Sequence, residues 1–464
     1  MKTFKHTLLA LLALVGLVGF TACSDDDNGS GAEMKISKVF LEDVKSSVPD
    51  REVSFARLGQ LIRIEGSGFT GLKKVYINGY DTYFNNALLT DNNLWVTLNT
   101  KTPVSTAGDD VRNTITLVKD NQTYTFPFTI RASSPSILNI SCTLPQPGET
   151  VTVEGANLEE VTKVTLPGGV EVTSGIESDP KGEWFTFTMP SGVTEAGSIT
   201  AEGANGTAIS AENFNDNRCF IINFDGLGVQ GGWSATYKAD DLVDDPLNSG
   251  RGKVVKLIPD SRLAEGGVKA GVSNIPGWWT SGNGEATDDW SRMTSVIPET
   301  TPLDSVALQF DVYCPEPWDG SGQLEITLQN NLSNYGWGST CTKYSKDYIN
   351  QAYAWVPWMD RETGADIGPF QTTGWVTVTV PLSSFGNYTN TDITWTFGKV
   401  ISDRNAGSYR NFGFLFCNSD IDFDGDASTT NDIFASHDFS LPIYLDNFRI
   451  VKIGAKTVSD FLEE

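Results

Sequence analysis

The feature that most constrains the fold of this chain is an internal repeat in its first half. The segment GQLIRIEGSGFTGLKKVYING (59–79) aligns without gaps with GETVTVEGANLEEVTKVTLPG (148–168), at a constant offset of 89 residues. Gly66 matches Gly155, and the alternating apolar positions of the two segments also match. A repeat of this period indicates tandem duplication of one domain. The alternation predicts half-buried β-strands, and the glycines predict turns between them.

Each copy is about 90 residues long, the scale of a seven-stranded β-sandwich. Trp95 and Trp184 recur at the same offset within strand patterns, so we interpret both as structural residues. Short polar linkers, RASSPS near 131–136 and ENFNDN near 212–217, mark the predicted domain edges. The predicted domains are 35–132, 133–216 and 217–464.

The N-terminus has the pattern of a targeting signal. Lys2 and Lys5 precede the uncharged run LLALLALVGLVGF (8–20), which is shorter than the roughly 20 residues that a transmembrane helix needs. We therefore predict a signal peptide at 1–22. The following TAC ends at Cys23 and resembles a bacterial lipobox, in which the cysteine is acylated and becomes the first mature residue. Residues 23–34 are then a flexible tether, with lipid as the membrane anchor.

Charge restricts the partners of the chain. Its 33 Lys and Arg against 58 Asp and Glu give a net charge of −25 at pH 7, which repels nucleic acid and anionic lipid. Five cysteines follow Cys23, with spacings that match neither a zinc nor a redox motif. Cys314 and Cys417 lie in apolar segments and are expected to be buried thiols.

The C-terminal region from residue 217 combines clear strand patterns with an excess of aromatic residues. It holds ten of the twelve tryptophans. SVALQFDVY (305–313), LEITL (324–328) and WVTVTVPL (375–382) alternate apolar and other residues, and no long helical periodicity is evident. Short strands joined by long Gly- and Asn-rich loops predict a jelly roll or other β-sandwich. The fold class is therefore all-β.

Two resemblances add to this interpretation. The repeated glycine and apolar pattern resembles IPT/TIG immunoglobulin-like domains. The C-terminal region opens with CFIINFDG (219–226) and closes with IYLDNFRIV (443–451), which resembles jelly-roll carbohydrate-binding modules whose first and last strands lie close together. Together with the lipobox and the SDDD that follows it, this order resembles the B-type surface glycan-binding lipoproteins of Sus-like polysaccharide-utilisation systems. In that family the C-terminal domain binds polysaccharide and the Ig-like domains act as spacers.

A glycan platform needs exposed aromatic planes, against which the axial C–H face of a sugar packs, with polar residues around them. Aromatic residues within strand patterns, such as Phe224, Trp375 and Phe448, are expected in the core. QAYAWVPW (351–358) differs, because an extended segment places Tyr353 and Trp355 on one face. The candidate glycan-binding residues are Trp355, Tyr353, Trp337, Trp318, Trp358, Tyr335, Trp278, Trp279 and Trp290.

The segment DIDFDG (420–425) has the D-x-D-x-D-G form of a calcium loop. Asp420, Asp422 and Asp424 would supply ligands, but the twelfth position is Asn431, where an EF-hand places a bidentate glutamate. Two interpretations remain, an irregular structural calcium site and a solvated acidic loop.

Catalytic signatures are few. His6 leaves with the signal peptide, so His437 is the one histidine of the mature chain, which excludes histidine-based metal sites and argues against a His-dependent triad. Paired carboxylates of a glycoside hydrolase are not excluded by composition. We predict a surface-exposed outer-membrane lipoprotein that binds a neutral glycan, xyloglucan or another β-glucan, without cleaving it. It would deliver the glycan to a companion transporter and glycanases. The alternatives are a surface glycoside hydrolase or lyase, and an adhesin for a host protein.

Overall fold

The computed structural model describes residues 33–42, 50–228, 239–257, 277–280, 287–329, 352–390, 392–407, 410–418, 421–423, 433–437 and 441–454. Contacts divide them into two compact units. The first contains the described residues up to Pro103 together with Ala107–Ile130. The second contains Val104–Thr106 and the described residues from Arg131 onward. No helix within the described ranges is long and apolar enough to span a membrane.

The first unit is a small β-sandwich. Its strands are β1 (Lys35–Leu41), β2 (Arg51–Glu52), β3 (Phe55–Arg57), β4 (Leu61–Ser67), β5 (Lys74–Ile77), β6 (Tyr80–Thr82), β7 (Asn93–Thr97), β8 (Thr114–Lys119), β9 (Gln122–Pro127) and β10 (Thr129–Arg131). They form the sheets β2-β1-β4-β7 and β6-β5-β8-β9, with the pair β10-β3. Alternate residues of β4 and β5, such as Ile62, Ile64, Val75 and Ile77, are fully buried between the sheets.

The second unit begins with another small sandwich. Its strands are β11 (Ser136–Ile140), β12 (Thr150–Ala156), β13 (Lys163–Leu166), β14 (Val170–Val172), β15 (Glu177–Ser178), β16 (Trp184–Thr188), β17 (Thr200–Gly203) and β18 (Gly206–Ile209), with a 3₁₀ turn at Pro167–Gly169. They form the sheets β11-β12-β16-β15 and β14-β13-β17-β18 around one apolar core.

The repeated glycines have the same physical role in both sandwiches. A Cβ on Gly66 would overlap the carbonyl oxygen of Lys35 on the neighbouring strand, and a Cβ on Gly155 would overlap that of Ser136. Each glycine lies beside a register shift of the pair it belongs to, β1-β4 or β11-β12. Only glycine permits so close an approach of two backbones, which explains why the duplication keeps it.

The rest of the second unit is a larger two-sheet sandwich. Its strands are β19 (Phe220–Ile222), β20 (Leu242–Asp244), β21 (Lys253–Leu257), β22 (Gly277–Trp279), β23 (Val306–Tyr313), β24 (Gln323–Thr327), β25 (Ala352–Trp355), β26 (Val376–Pro381), β27 (Gly413–Cys417), β28 (Ile421–Asp422), β29 (Ile433–Phe434) and β30 (Ile443–Lys452). Its 3₁₀ turns are Ala239–Asp241, Trp290–Ser295, Leu303–Ser305, Leu382–Ser384 and Gly386–Tyr388.

One sheet has the order β20-β21-β30-β23-β26, with β19 also paired to β30, and the other has the order β22-β27-β24-β25. The predicted proximity of the first and last strands is confirmed by the β19–β30 pairing. Phe448 on β30 joins the two sheets, because its ring stacks on Phe310 at 5.2 Å and on Phe414 of the opposite sheet at 4.7 Å. The predicted all-β sandwich class is confirmed.

One helix departs from the predicted absence of helical periodicity. α1 (Phe397–Ala406) is capped by the Thr396 side chain, which accepts a hydrogen bond from the Lys399 N–H at 3.4 Å. Its buried positions Phe397, Val400, Ile401 and Arg404 have the i, i+3, i+4, i+7 spacing of a helix face. The pattern spans less than three turns and includes a buried arginine, so it is weak in the sequence.

Candidate functional site

The most unusual surface of the larger sandwich is the outer face of the sheet β22-β27-β24-β25. Along QLEITLQ (323–329), Leu324, Ile326 and Leu328 face the hydrophobic core. The side chains between them therefore point to the opposite face. These are Gln323, Glu325, Thr327 and Gln329, which we call the polar row. All four are buried, with 0% to 8% of their surface exposed.

The polar row contains acceptor oxygens that have no hydrogen-bond partner among the described residues. Oε1 of Glu325 lies 3.5 Å from Nε2 of Gln323, whereas no described residue donates to its Oε2. Nε2 of Gln329 donates to Asp403 at 3.2 Å, and its Oε1 likewise has no partner in the described part of the chain. A buried acceptor without a partner costs about 1–3 kcal/mol, so the row is a costly feature for stability alone.

Burial determines the charge of Glu325. Desolvation raises the pKa of its carboxyl group from 4.5 to about 8. The group is therefore mostly protonated at neutral pH, and it can both donate and accept hydrogen bonds. An uncharged carboxyl beside the amide of Gln323 matches the hydroxyl groups of a neutral ligand better than it matches an ion.

Apolar residues of the neighbouring strands flank the polar row. Glu325 lies between Leu415 on β27 and Ala354 on β25, and Thr327 pairs with Gly413. A Cβ on Gly413 would come within 2.9 Å of the Cβ of Trp279 on β22. Leu415 and Trp279 lie on the same face of the sheet as the row, because Leu415 pairs with Glu325 and Trp279 pairs with Gly413.

The predicted aromatic platform at Tyr353 and Trp355 has a different orientation. The two side chains do share one face, as predicted, but this face is the core side, because Trp355 pairs with Leu324 and Tyr353 with Ile326. Both rings are half-buried and pack against the core. Trp355 contacts three rings edge to face, at centroid distances of 5.3 to 5.5 Å: Phe310, Trp318 and Phe370.

Tyr353 contacts one ring and one cation. Its ring is 5.7 Å from that of Phe385, and the guanidinium of Arg361 lies 4.2 Å from its centroid. A cation over an aromatic face stabilises the ring orientation. A role of Tyr353 or Trp355 in binding a glycan stays a prediction.

Five other candidate rings are buried, so they do not form an exposed platform, and a role for them in glycan binding stays a prediction. Their exposed fractions run from 0% to 6% for Trp278, Trp279, Trp290, Trp318 and Trp358. The large apolar area of indole favours burial even where the chain around it is loop-like. Backbone carbonyls also satisfy two of the indole N–H groups: Trp318 donates to Ser321 at 2.7 Å, and Trp358 donates to Gly322 at 3.3 Å.

The remaining indoles are held by other contacts. Trp278 lies edge to face on Phe224, with centroids 5.0 Å apart. Arg404 of α1 lies 3.8 Å from the ring of Trp290. The loop composition around these rings, rich in glycine and proline, misled the prediction because a turn residue next to a ring does not determine which side of the sheet the ring occupies.

Several predicted positions lie outside the described residues. These are Cys23, Trp337, Tyr335, Asp420 and Asp424. Asp422 is in β28, but nothing is described of its side chain. Within the described ranges, no group of three or more His, Cys, Asp or Glu residues is arranged to hold a metal ion. The predicted core positions Phe224, Trp375 and Phe448 are confirmed as buried, and Cys314 is a buried free thiol.

Sequence reasoning missed the polar row, although its signal is present. QLEITLQ alternates strictly, and attention to Leu324, Ile326 and Leu328 identified the strand. The same alternation assigns Gln323, Glu325, Thr327 and Gln329 to one opposite face, but it does not say that this face is buried.

Comparisons with known proteins agree with the architecture. An IPT/TIG domain-containing protein of Bacteroides ovatus is 29% identical over 187 residues. The match covers 40% of this chain, and the chain spans 35% of the length of that curated relative. The crystal structure of surface glycan-binding protein B from Prevotella bryantii superimposes with a TM-score of 0.63 at 19% identity. It covers 92% of this chain and 100% of the other, so the fold is shared.

Residues 214–452 match the protein family described as "Surface glycan-binding protein B xyloglucan binding domain". This range is more than half of the 464 residues, and it includes the whole of the larger sandwich with the polar row. The chain therefore belongs to the surface glycan-binding protein B family.

Proposed function

We propose that the larger sandwich binds a neutral β-glucan without cleaving it, with xyloglucan as the first candidate, and that the polar row supplies hydrogen bonds to the sugar hydroxyl groups. The observation that carries this proposal is the row itself. Glu325 and Gln329 each have a buried acceptor oxygen that no described residue pairs with. Sugar hydroxyl groups are donors that match such oxygens.

The chemistry of the row favours a neutral ligand. The protonated state of Glu325 at neutral pH offers a hydroxyl group and a carbonyl oxygen rather than a charge. The net charge of −25 opposes the approach of acidic glycans. The family description supports xyloglucan among the neutral glucans.

The row also supports binding over catalysis. Glycoside hydrolases use two carboxyl groups separated by about 5–9.5 Å across the scissile bond. The polar row carries a single carboxyl group, that of Glu325, flanked by amides and a hydroxyl. Long incubation with the bound polysaccharide should therefore release no reducing ends, and their release would contradict the non-catalytic part of the proposal.

The location and partners belong to the same proposal. The lipobox at Cys23 and membership of a family of surface glycan-binding proteins support a lipid-anchored protein at the outer face of the outer membrane. A companion transporter and glycanases would receive the captured glycan.

The test compares Glu325→Leu with the matched control Glu316→Gln, an exposed carboxylate in the same domain. Leucine removes the hydrogen-bonding groups and the buried carboxyl together. Xyloglucan affinity measured by isothermal titration should therefore fall two- to tenfold, about 0.5–1.5 kcal/mol per lost hydrogen bond. The melting temperature should stay the same or rise. If folded Glu325→Leu binds xyloglucan with unchanged affinity, the polar row is not part of the glycan-binding site.

A further inference from the structure

The smaller sandwich of the second unit and the larger sandwich share a buried network of charged and polar groups. Nη1 of Arg251 lies 2.8 Å from Oδ2 of Asp311, and Nη1 of Arg449 lies 3.2 Å from Oδ1 of the same carboxylate. All three side chains have no exposed surface. From the smaller sandwich, Thr143 accepts a hydrogen bond from Arg449 at 2.9 Å. Its backbone N–H donates to Thr377 at 2.9 Å.

Further bonds anchor Arg251 on the smaller sandwich. Its Nη2 donates to the Leu144 carbonyl at 3.1 Å and lies 3.2 Å from Oε2 of Glu149. The Thr377 N–H donates to the Ser141 carbonyl at 2.7 Å. Because breaking a buried ion pair leaves an uncompensated charge, these contacts hold the two sandwiches in one arrangement. Any cavity that both of them line is therefore preformed.

Such a cavity, of about 260 Å³, lies directly beside Arg251. The smaller sandwich contributes Pro145, Gln146 and Pro190, and the connecting segment contributes Asn217. The larger sandwich contributes Phe220, Asp225, Arg251 and Asn447. Its volume is just below the 300–1,000 Å³ typical of drug-sized ligands. The cavity therefore suits one sugar ring rather than a polysaccharide chain.

The polar groups of the cavity point to a neutral ligand with hydroxyl groups. Amide groups of Asn217 and Asn447 and the carboxylate of Asp225 belong to the residues that line the cavity. The charges beneath the cavity balance, because Arg251 and Arg449 face Asp311 and Glu149. Asp225 adds a carboxylate to the wall, which disfavours an anion.

We propose that this junction cavity is a second carbohydrate site that binds one neutral monosaccharide unit. The carboxylate of Asp225 accepts hydrogen bonds from sugar hydroxyl groups, the amide of Asn217 donates and accepts them at the rim, and the proline and phenylalanine side chains contact the C–H face of the ring. The site is built on the sheet that contains β21 and β30, whereas the polar row is on the other sheet. The inference rests on the proposed function only in taking carbohydrate as the ligand class.

The test uses the full mature chain and ligand-observed saturation-transfer NMR with D-glucose, D-xylose and D-galactose as probes. At least one sugar should show saturation transfer from the wild-type protein. Asn217→Trp places a large ring at the exposed cavity rim, and it should reduce the signal at least tenfold. Asn86→Trp, at an exposed asparagine of the first unit, serves as the matched control and should keep it.

Asp225→Asn is the second variant, and it still tests the proposal if Asn217→Trp does not fold. In the wild type the Lys253 N–H donates to Oδ1 of Asp225 at 2.8 Å, and the amide oxygen of asparagine can still accept this bond. The variant lacks the carboxylate at the cavity wall, so the saturation-transfer signal should weaken. Absence of transfer for all three sugars, or a signal that neither variant reduces, would overturn the proposal. Glu325→Leu separates the two sites, because it should weaken xyloglucan binding and leave the monosaccharide signal unchanged.

Discussion

Replacing Glu325 by glutamine should change how the stability of the larger sandwich depends on pH. The folded protein raises the pKa of this carboxyl group from 4.5 to about 8 because the group is buried. A raised pKa means that the folded state binds the proton more tightly than the unfolded state does. The contribution of this proton to the free energy of unfolding is therefore greatest below pH 4.5, and it is lost as the pH rises from 4.5 to about 8.

The magnitude follows from linkage between protonation and folding. With these two pKa values, the unfolded chain releases the proton while the folded protein keeps it, which lowers the free energy of unfolding by about 1 kcal/mol at pH 5 and about 3 kcal/mol at pH 7 relative to low pH. The cost levels off near 5 kcal/mol above pH 8. Glutamine has a similar shape and does not ionise. The free energy of unfolding of Glu325→Gln, relative to that of the wild type, should therefore increase by about 2 kcal/mol from pH 5 to pH 7.

Urea denaturation followed by tryptophan fluorescence measures this difference, since ten of the twelve tryptophans lie beyond residue 217. Other titrating groups are common to both proteins and cancel in the comparison. Glu316→Gln, an exposed carboxylate, should follow the wild-type curve. Parallel stability curves for wild type and Glu325→Gln from pH 5 to pH 8 would refute the burial of an unpartnered carboxyl group.

Three further predictions concern the rings, the junction and the anchor. Tyr353→Ala should weaken xyloglucan binding, measured by isothermal titration. Because the tyrosine is half-buried, its melting temperature should fall less than that of the core control Trp375→Ala. Intact binding together with a melting loss as large as that of the control would make Tyr353 a core residue. Asp311→Asn should destabilise the second unit by about 3–5 kcal/mol, because it leaves two buried arginines without their carboxylate. The free energy of unfolding typically falls by ~1–3 kcal/mol per molar urea, so a urea midpoint within about 0.3 M of the wild type would contradict this prediction. Cys23→Ser should release the protein from the membrane fraction, as followed by fractionation and immunoblotting; unchanged membrane association would exclude the lipid as the anchor.

Local patterns in the sequence predicted much of the fold. The glycines that recur at 66 and 155 each permit a close backbone approach, and alternation identified β4, β12, β23 and β24. These features depend on residues within one strand or one hairpin. The helix α1 escaped notice because its apolar face is short and includes the buried Arg404.

The candidate site was less accessible to sequence reasoning, for two physical reasons. Alternation predicts that Tyr353 and Trp355 share a face, but whether this face is the core side depends on their pairing with β24, a distant strand. The junction depends on contacts such as Arg449 to Thr143, which are 306 positions apart. The alternation of QLEITLQ places the polar row on one face but does not show that this face is buried, and the cavity beside Arg251 has no local sequence signature.

The measurement that tests the central claim most directly is isothermal titration of the mature protein with xyloglucan, in parallel with a neutral α-glucan and an acidic polygalacturonan. The account predicts saturable binding of xyloglucan that Glu325→Leu weakens two- to tenfold, with little binding of polygalacturonan. Failure to bind xyloglucan or any other β-glucan, or equal binding of polygalacturonan, would contradict it.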